Sequence, residues 1–318
     1  MRKILIILFI IVSLSYCTKP VKIEIPDNPL IVVHAYLIAN DTLRVRVSRS
    51  FSSISTEIYT FYKNQSDHGP LDTNKIFLRN ADVKLYKDGV FAEKLRYTKN
   101  GFFIAEDFPE SGHEYEIRIK ADQMEGVRAK TQVPAIAEME NIEFSYINTQ
   151  NNTHYYKGEV TYHCPQGSDM LIFSLFESLV FIDDNGEEQS YESNLNVGDH
   201  LEGGNITSSE DLYGGFYITV NSTEEHTEST NFFLSRYGSE QNNIDTVNLV
   251  AVLNSVSKEY IHFKTSLSKY YENGTNFGNP FNTPIQIYSN IEGGIGIFTG
   301  ISADTLREQI IFDHSQKN

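Results

Sequence analysis

Apolar and polar side chains alternate with a period of two along much of this chain. In "TLRVRVSRS" Leu43, Val45 and Val47 alternate with Arg44, Arg46 and Ser48. In "HEYEIRIKA" Tyr115, Ile117 and Ile119 alternate with Glu114, Glu116, Arg118 and Lys120. Successive side chains of a strand point to opposite faces, so this pattern specifies strands with one buried and one wet face. A chain made mostly of such stretches must stack sheets face to face to hide its apolar sides.

The run "LIVVHAYLI" from Leu30 opens the series. "ADVKLYKDGVFAEKLRY" reads as a hairpin with Asp88-Gly89 at its tight turn. "FFIAED" and "GVRAKTQVP" follow, and Pro134 closes the region. Six or seven short strands within residues 30–134 predict an immunoglobulin-like or fibronectin-like β-sandwich. Ala135 to Asn141 reads as a crossing into a larger β-rich domain, residues 135–318. Its strand candidates are "YYKGEVTYHC", "DMLIFSLFES", "GGFYITVNS", "NFFLSRYG" and "TVNLVAVLN". One stretch departs from this pattern. Val256, Tyr260, Phe263, Leu267 and Tyr270 stand at helical spacing, which predicts one amphipathic helix near 255–272, capped by Ser255 and ended by Gly274. The expected fold class is therefore mainly β: a sandwich followed by a larger β-rich domain with one helix.

The front of the chain predicts its compartment. Arg2 and Lys3 precede an apolar run, Ile4 to Val12, too short to span a bilayer, so residues 1–16 read as a signal peptide. The run ends in Leu14-Ser15-Tyr16-Cys17, a bacterial lipobox pattern in which Cys17 would be lipidated and become the first mature residue. Tyr16 is bulkier than the small residue usual before that cysteine, and plain secretion is the alternative. Residues 17–29 hold three prolines and read as an extended tether. Its length reaches roughly 40 Å, enough to clear lipid headgroups.

Cys17 and Cys164 are the two cysteines. With Cys17 lipidated, no disulfide framework is available, and Cys164, before Pro165, is expected to be a small buried hydrophobe. The net charge is −16, which argues against nucleic acid as a partner and against electrostatic docking on anionic lipid.

"PIQIYSNIEGGIGIFTG" is rich in glycine, but a phosphate loop needs a following helix and a lysine, and here Gly296 leads into Ile297-Phe298-Thr299-Gly300. Gly293, Gly294 and Gly296 are read instead as a closing hairpin, with Gly296 admitting the backbone of another element, for which the helix is the candidate. The histidines form no His-Glu-x-x-His pair and no zinc spacing with cysteine, and there is no Gly-x-Ser-x-Gly elbow. Asp183 to Glu188 lacks the alternating ligands of a calcium loop and reads as a hairpin turn at Asn185-Gly186. No catalytic residue, metal or cofactor is expected.

"CTKPVKIEIPDNPLIVVHAYL", "ADVKLYKDG", "GHEYEIRIKA" and "NPFNTPIQIYSNIEGGIGIFTG" together resemble a family of Bacteroidetes outer-membrane lipoproteins, domain-of-unknown-function family 4249. The last stretch is the most specific. The resemblance implies an outer-membrane protein at the periplasmic or cell-surface face, of a family often encoded beside TonB-dependent transporters. It implies no activity. The expected function is that of a non-catalytic lipoprotein, an accessory or binding subunit of such a transporter. The alternative is a fimbrial or adhesin-type surface lipoprotein; a hydrolase with an unrecognised site ranks third.

One loop stands out. Ser52 to Asn80 is far longer than an ordinary connection and carries Ile58, Tyr59, Phe61 and Tyr62, with Ile76, Phe77 and Leu78 near its exit. Tyr59, Phe61 and Tyr62 are candidate partner contacts, because Tyr and Phe serve as interface anchors. The alternative is that they cover the sandwich edge.

Overall fold

The computed structural model describes residues 29–50, 76–151, 153–168, 170–182, 187–198, 206–208, 216–220, 223–237, 244–274 and 285–313. From Leu30 onward these residues belong to one compact unit. The first half supplies β1 (Ile31–Ile38), β2 (Arg44–Arg49), β3 (Asp82–Lys87), β4 (Val90–Lys94), β5 (Arg96–Tyr97), β6 (Phe102–Ile104), β7 (Glu114–Lys120) and β8 (Val127–Gln132). The alternation of charge and apolarity places them as expected. Val45 and Val47 of β2 and Ile117 and Ile119 of β7 are wholly buried. Asp88 and Gly89 both take positive φ, +49° and +78°, in the two-residue turn between Lys87 and its partner Val90. Asp-Gly tolerates that conformation at both positions, and its twist matches the flanking strands.

The second half supplies β9 (Glu138–Gln150), β10 (Thr153–Cys164), β11 (Met170–Ile182), β12 (Glu188–Asn194), β13 (Asn196–Gly198), β14 (Ile206–Ser208), β15 (Phe216–Thr219), β16 (His226–Tyr237) and β17 (Ile244–Val256). Helix α1 (Lys258–Gly274) and the 19-residue β18 (Ile295–Asp313) complete it. Ile182 pairs with Glu188, so β11 and β12 form a hairpin around the stretch weighed as a calcium loop. Asp183 to Gly186 themselves lie outside the described residues.

Three sheets make two sandwiches. A ten-stranded sheet runs β14-β15-β11-β17-β18-β1-β2-β6-β5, with β12 also on β11. A second sheet, β4-β3-β7-β8, packs on its β1-β2-β6 end, and a third, β13-β16-β10-β9, packs on its β11-β17 end. The first core gathers Val33, Leu37, Val45, Phe103, Ile117, Ile119 and Val133. The second is built around Phe173, Phe216 and Phe232, whose ring centroids lie 5.1–5.9 Å apart. Phe232 lies across Gly158 of the neighbouring strand, where a Cβ would meet its ring at 2.2 Å. Glycine there is what lets the ring lie flat into the core.

The tail departs from expectation. The glycine-rich stretch is not a closing hairpin: residues 285–290 form no strand, and β18 instead pairs in parallel with β1, Val32 opposite Ile295 through Ile38 opposite Ile301. From Ile301 to Asp313 the same strand pairs antiparallel with β17. Ile291 and Phe298 therefore belong to the first core, and Leu306 and Ile310 pack on the second. The expected boundary at Pro134 is crossed by one strand. The physical reason is that a sandwich of β1 to β8 alone leaves one flank of β1 unpaired, and β18 pairs there.

The helix also starts later than expected. Ser255 lies within β17, and its hydroxyl accepts a hydrogen bond from the Ala137 N–H (3.1 Å) rather than capping α1. Ser257 precedes the first turn. Tyr260 and Phe263 are buried as the spacing predicted, while Tyr270 is exposed.

Candidate functional site

The glycines mark where backbones touch. Gly293 has φ +78° and Gly296 φ +120°. A Cβ on Gly296 would lie 1.9 Å from the Val33 carbonyl oxygen of β1. On Gly294 it would lie 2.5 Å from the Ile31 carbonyl oxygen, and on Gly300 2.2 Å from that of Gln132. The element that approaches Gly296 is thus β1, and not α1. Each of these glycines faces a backbone carbonyl oxygen, so the absent side chain is what lets another backbone come close.

Asn290 does the work of a missing strand. Its side-chain Nδ2 donates to the Phe298 carbonyl (2.7 Å) and its Oδ1 accepts from the Phe298 N–H (3.0 Å). One side chain thereby satisfies both backbone groups of a strand residue, which buried peptide groups require. Next to it, Glu292 and Arg128 exchange backbone hydrogen bonds of 2.8 and 3.2 Å and pair through their side chains at 2.6 Å.

A buried hydroxyl seam joins the two sandwiches. Ser257 Oγ and Thr299 Oγ1 share a hydrogen bond of 2.8 Å, and Thr131 Oγ1 donates to Ser257 Oγ at 3.3 Å. Ser302 Oγ donates to the Pro134 carbonyl (2.8 Å), and Asp304 accepts from the Met139 N–H (2.7 Å). Thr131 Oγ1 also lies 3.2 Å from the Glu259 carboxylate of α1, which ties the start of the helix to the same seam. The seam fastens the crossing at 133–139 to β17 and β18. Sequence reading missed it: its one signal was serine and threonine at inward positions of otherwise apolar strands.

The histidine–carboxylate contacts are surface ties. His113 pairs with Asp88 at 2.7 Å, and Lys87 with Glu110 at 2.6 Å, clamping the β3–β4 turn to the start of β7. The hydrogen bond from His113 holds the Asp88 carboxyl below its usual range. His163 pairs with Glu225 at 2.8 Å, and His226 lies 3.5 Å from Glu228. The Glu224 carbonyl, and then Glu228, push the His226 pKa up. Among the described residues, no group of three or more His, Cys, Asp or Glu is placed to hold a metal ion. Cys164 is a buried thiol outside any disulfide, as expected of a small hydrophobe.

The most unusual surroundings lie on the outer face of β1, where α1 crosses. His34 and Tyr36 stack edge to face with centroids 5.0 Å apart. Phe263 of α1 lies 6.2 Å from His34, and Tyr260 lies 6.1 Å from Tyr36. Burial, then the charges of Arg46 and Lys264, hold the His34 pKa below 6.5. Arg46 caps the rings of Phe77 and Phe102, its guanidinium 5.0 and 5.6 Å from their centroids. This face is aromatic on the α1 side and cationic on the β2 side.

Cys17, Tyr59, Phe61 and Tyr62 lie outside the described residues. The exit of the long loop is described, and it is structural: Phe77 is buried beside Ser48 of β2, and Leu78 packs on the first core. A family model described as "Domain of unknown function (DUF4249)" matches residues 18–307. No curated protein matches the chain.

Proposed function

Because this chain belongs to the DUF4249 family, whose function is unknown, we propose that it is a lipid-anchored outer-membrane protein that serves a TonB-dependent transporter as a non-catalytic accessory or binding subunit. The observation that carries the anchor is Leu14-Ser15-Tyr16-Cys17 at the end of a charged and then apolar leader, followed by a proline-bearing tether that runs into β1. A β body suits display at a membrane: Ser255, Ser302 and Asp304 each bind a backbone group of the crossing at 134–139. Cys17→Ala is expected to release the protein from membranes and abolish acyl labelling, because stable anchoring needs the acyl chains that this thiol would bear. If the variant still sediments with outer membranes after a high-salt wash, the anchor is refuted. For the partner, Tyr59, Phe61 and Tyr62 changed together to serine should lose a transporter that co-purifies in mild detergent, with the melting temperature unchanged. A large drop in melting with the partner retained would refute them as contacts.

The adhesin reading has one observation in its favour. β9 is an edge strand of 13 residues, and its second half, Phe144–Gln150, carries no charge to discourage pairing with another chain. Heat-sensitive ladders on gels would support strand exchange; a lone monomer band in unheated samples would refute it.

A further inference from the structure

One face of the ten-stranded sheet is charged against the sign of the molecule. β1, β2, β5 and β6 carry Arg44, Arg46, Arg49 and Arg96 and no Asp or Glu, in a chain of net charge −16. The register puts three of these arginines on one side. Arg46 stands opposite His34 and Phe102, Arg44 opposite Tyr36 and Ile104, and Arg96 opposite Ile104. The other side of the same strands, with Val45, Val47 and Phe103, is core. Arg44, Arg46 and Arg96 are exposed, and none forms an ion pair among the described residues. Lys264 of α1 adds a cation beside His34. The same region turns apolar where Pro29 leads into β1: Leu30 is 42% exposed, and Ile295, opposite Val32, is 40% exposed.

We propose that this face rests on the anionic headgroups of the bilayer to which the chain is anchored, with Arg44, Arg46 and Arg96 meeting lipid phosphates and Leu30 and Ile295 entering the interface. The inference rests on the anchored reading. Two features select lipid as the occupant. The face belongs to the strand pair that continues directly from the tether, and an apolar lip beside arginines matches a headgroup–acyl boundary. Guanidinium forks match phosphate geometry. The overall negative charge does not prevent docking, because screening confines each charge to about 8 Å at physiological salt. Nor need the patch capture a membrane from solution. A short tether holds it at an effective concentration of order millimolar. Each arginine near an anionic surface strengthens contact about fivefold, and three roughly a hundredfold.

The test uses the cysteines and the missing tryptophan. Cys164 is buried, so the mature chain from Cys17 to Asn318 can be coupled through Cys17 to a maleimide-headgroup lipid, which imposes the anchor chemically. The chain has no tryptophan, so Phe102→Trp provides a single reporter on the face. It is placed on vesicles of phosphatidylcholine, with or without phosphatidylglycerol, whose acyl chains carry bromine quenchers. Strong quenching is expected on the anionic vesicles alone, lost in molar salt and in the triple variant R44Q/R46Q/R96Q, with graded losses for the single variants as a guard against misfolding. Equal quenching on both vesicles, none on either, or none lost in the variants overturns the proposal. So does absent quenching when the triple variant loses a co-purifying acidic protein, because the face would then belong to that protein. Natural lipidation is read separately by acyl labelling of Cys17→Ala, so failure of the anchor and failure of the docking are distinct results.

Discussion

Gly296→Ala is expected to damage the fold far more than its single methyl suggests. Two costs fall on one residue. Gly296 has φ +120°, which L side chains rarely adopt, and holding a non-glycine residue there costs about 1–3 kcal/mol. Its Cβ would also lie 1.9 Å from the Val33 carbonyl oxygen, where real contacts do not fall below 3.0 Å. β1 and β18 must then part by about 1 Å, which stretches neighbouring ladder bonds past useful length and forfeits about 1 kcal/mol for each of two. The sum is about 3–5 kcal/mol, a drop in melting temperature of roughly 5–8 °C for a chain of this size. Two further variants separate the costs in scanning calorimetry. At Gly112, φ is +82° with no atom within 4 Å of a Cβ, so alanine there meets the backbone cost alone. Gly300 has no positive φ, but its Cβ would lie 2.2 Å from the Gln132 carbonyl oxygen, so alanine there meets the steric cost alone. The expected order of loss is Gly112, Gly300, Gly296. If Gly296→Ala melts within about 2 °C of the parent, or Gly112→Ala loses as much, the close β1–β18 approach is refuted.

Asn290→Ala should cost about 2–3 kcal/mol by chemical denaturation, because it leaves both backbone groups of Phe298 without their partner. Asn290→Asp, which keeps the acceptor and loses the donor, should fall between; a neutral Asn290→Ala would show that water replaces the amide. His34 gives a pH signature. Its folded pKa lies below 6.5, so the folded state binds the proton more weakly than the unfolded chain. The stability it contributes is full above pH 6.5 and declines as the pH falls below that value. His34→Gln should flatten this slope in melting curves between pH 5 and 7, and an unchanged slope would place its origin elsewhere.

The alternation in β2 and β7 and the Asp88-Gly89 turn were legible because each rests on a local rule, side-chain direction or φ. The buried half of the helix at Tyr260 and Phe263 was legible for the same reason. Its start was not, since Ser255 and Ser257 fit a cap equally well by type and only the partner chosen by the backbone of Ala137 decides between them. The glycine-rich tail misled for a related reason. A hairpin and a parallel partner both demand glycine at close approaches, and local sequence does not say whether the approaching backbone is ten residues away or 263, as Val33 is from Gly296. Asn290 was invisible as a strand substitute because its role depends on Phe298 being in place. The cationic face was half visible. Arg44 and Arg46 sit in a strand that was read correctly, but Arg96 was read into the hairpin of β3, whereas β5 leaves that sheet to pair with β6. The gathering needs β6 and β5 to follow β2 in the sheet, and net charge alone pointed away from lipid.

β18 decides what counts as a domain here. It pairs with β1 over its first seven residues and with β17 over the remainder, and it contributes Phe298 to one core while Leu306 and Ile310 pack against the other. A piece cut at Pro134 would leave β1 with an open parallel edge and Ala35 without Phe298 beside it. Such an edge is both a stability loss and a pairing hazard. Parallel pairing between the two ends of a chain is also among the slowest contacts to form, since the loop must close before the pair stabilises it. The first sandwich is thus completed by the last strand of the chain. The outer face of β1, where His34 and Tyr36 meet α1, lies beside that strand. Whatever this face binds, it binds the whole protein, and half the chain cannot stand in for it.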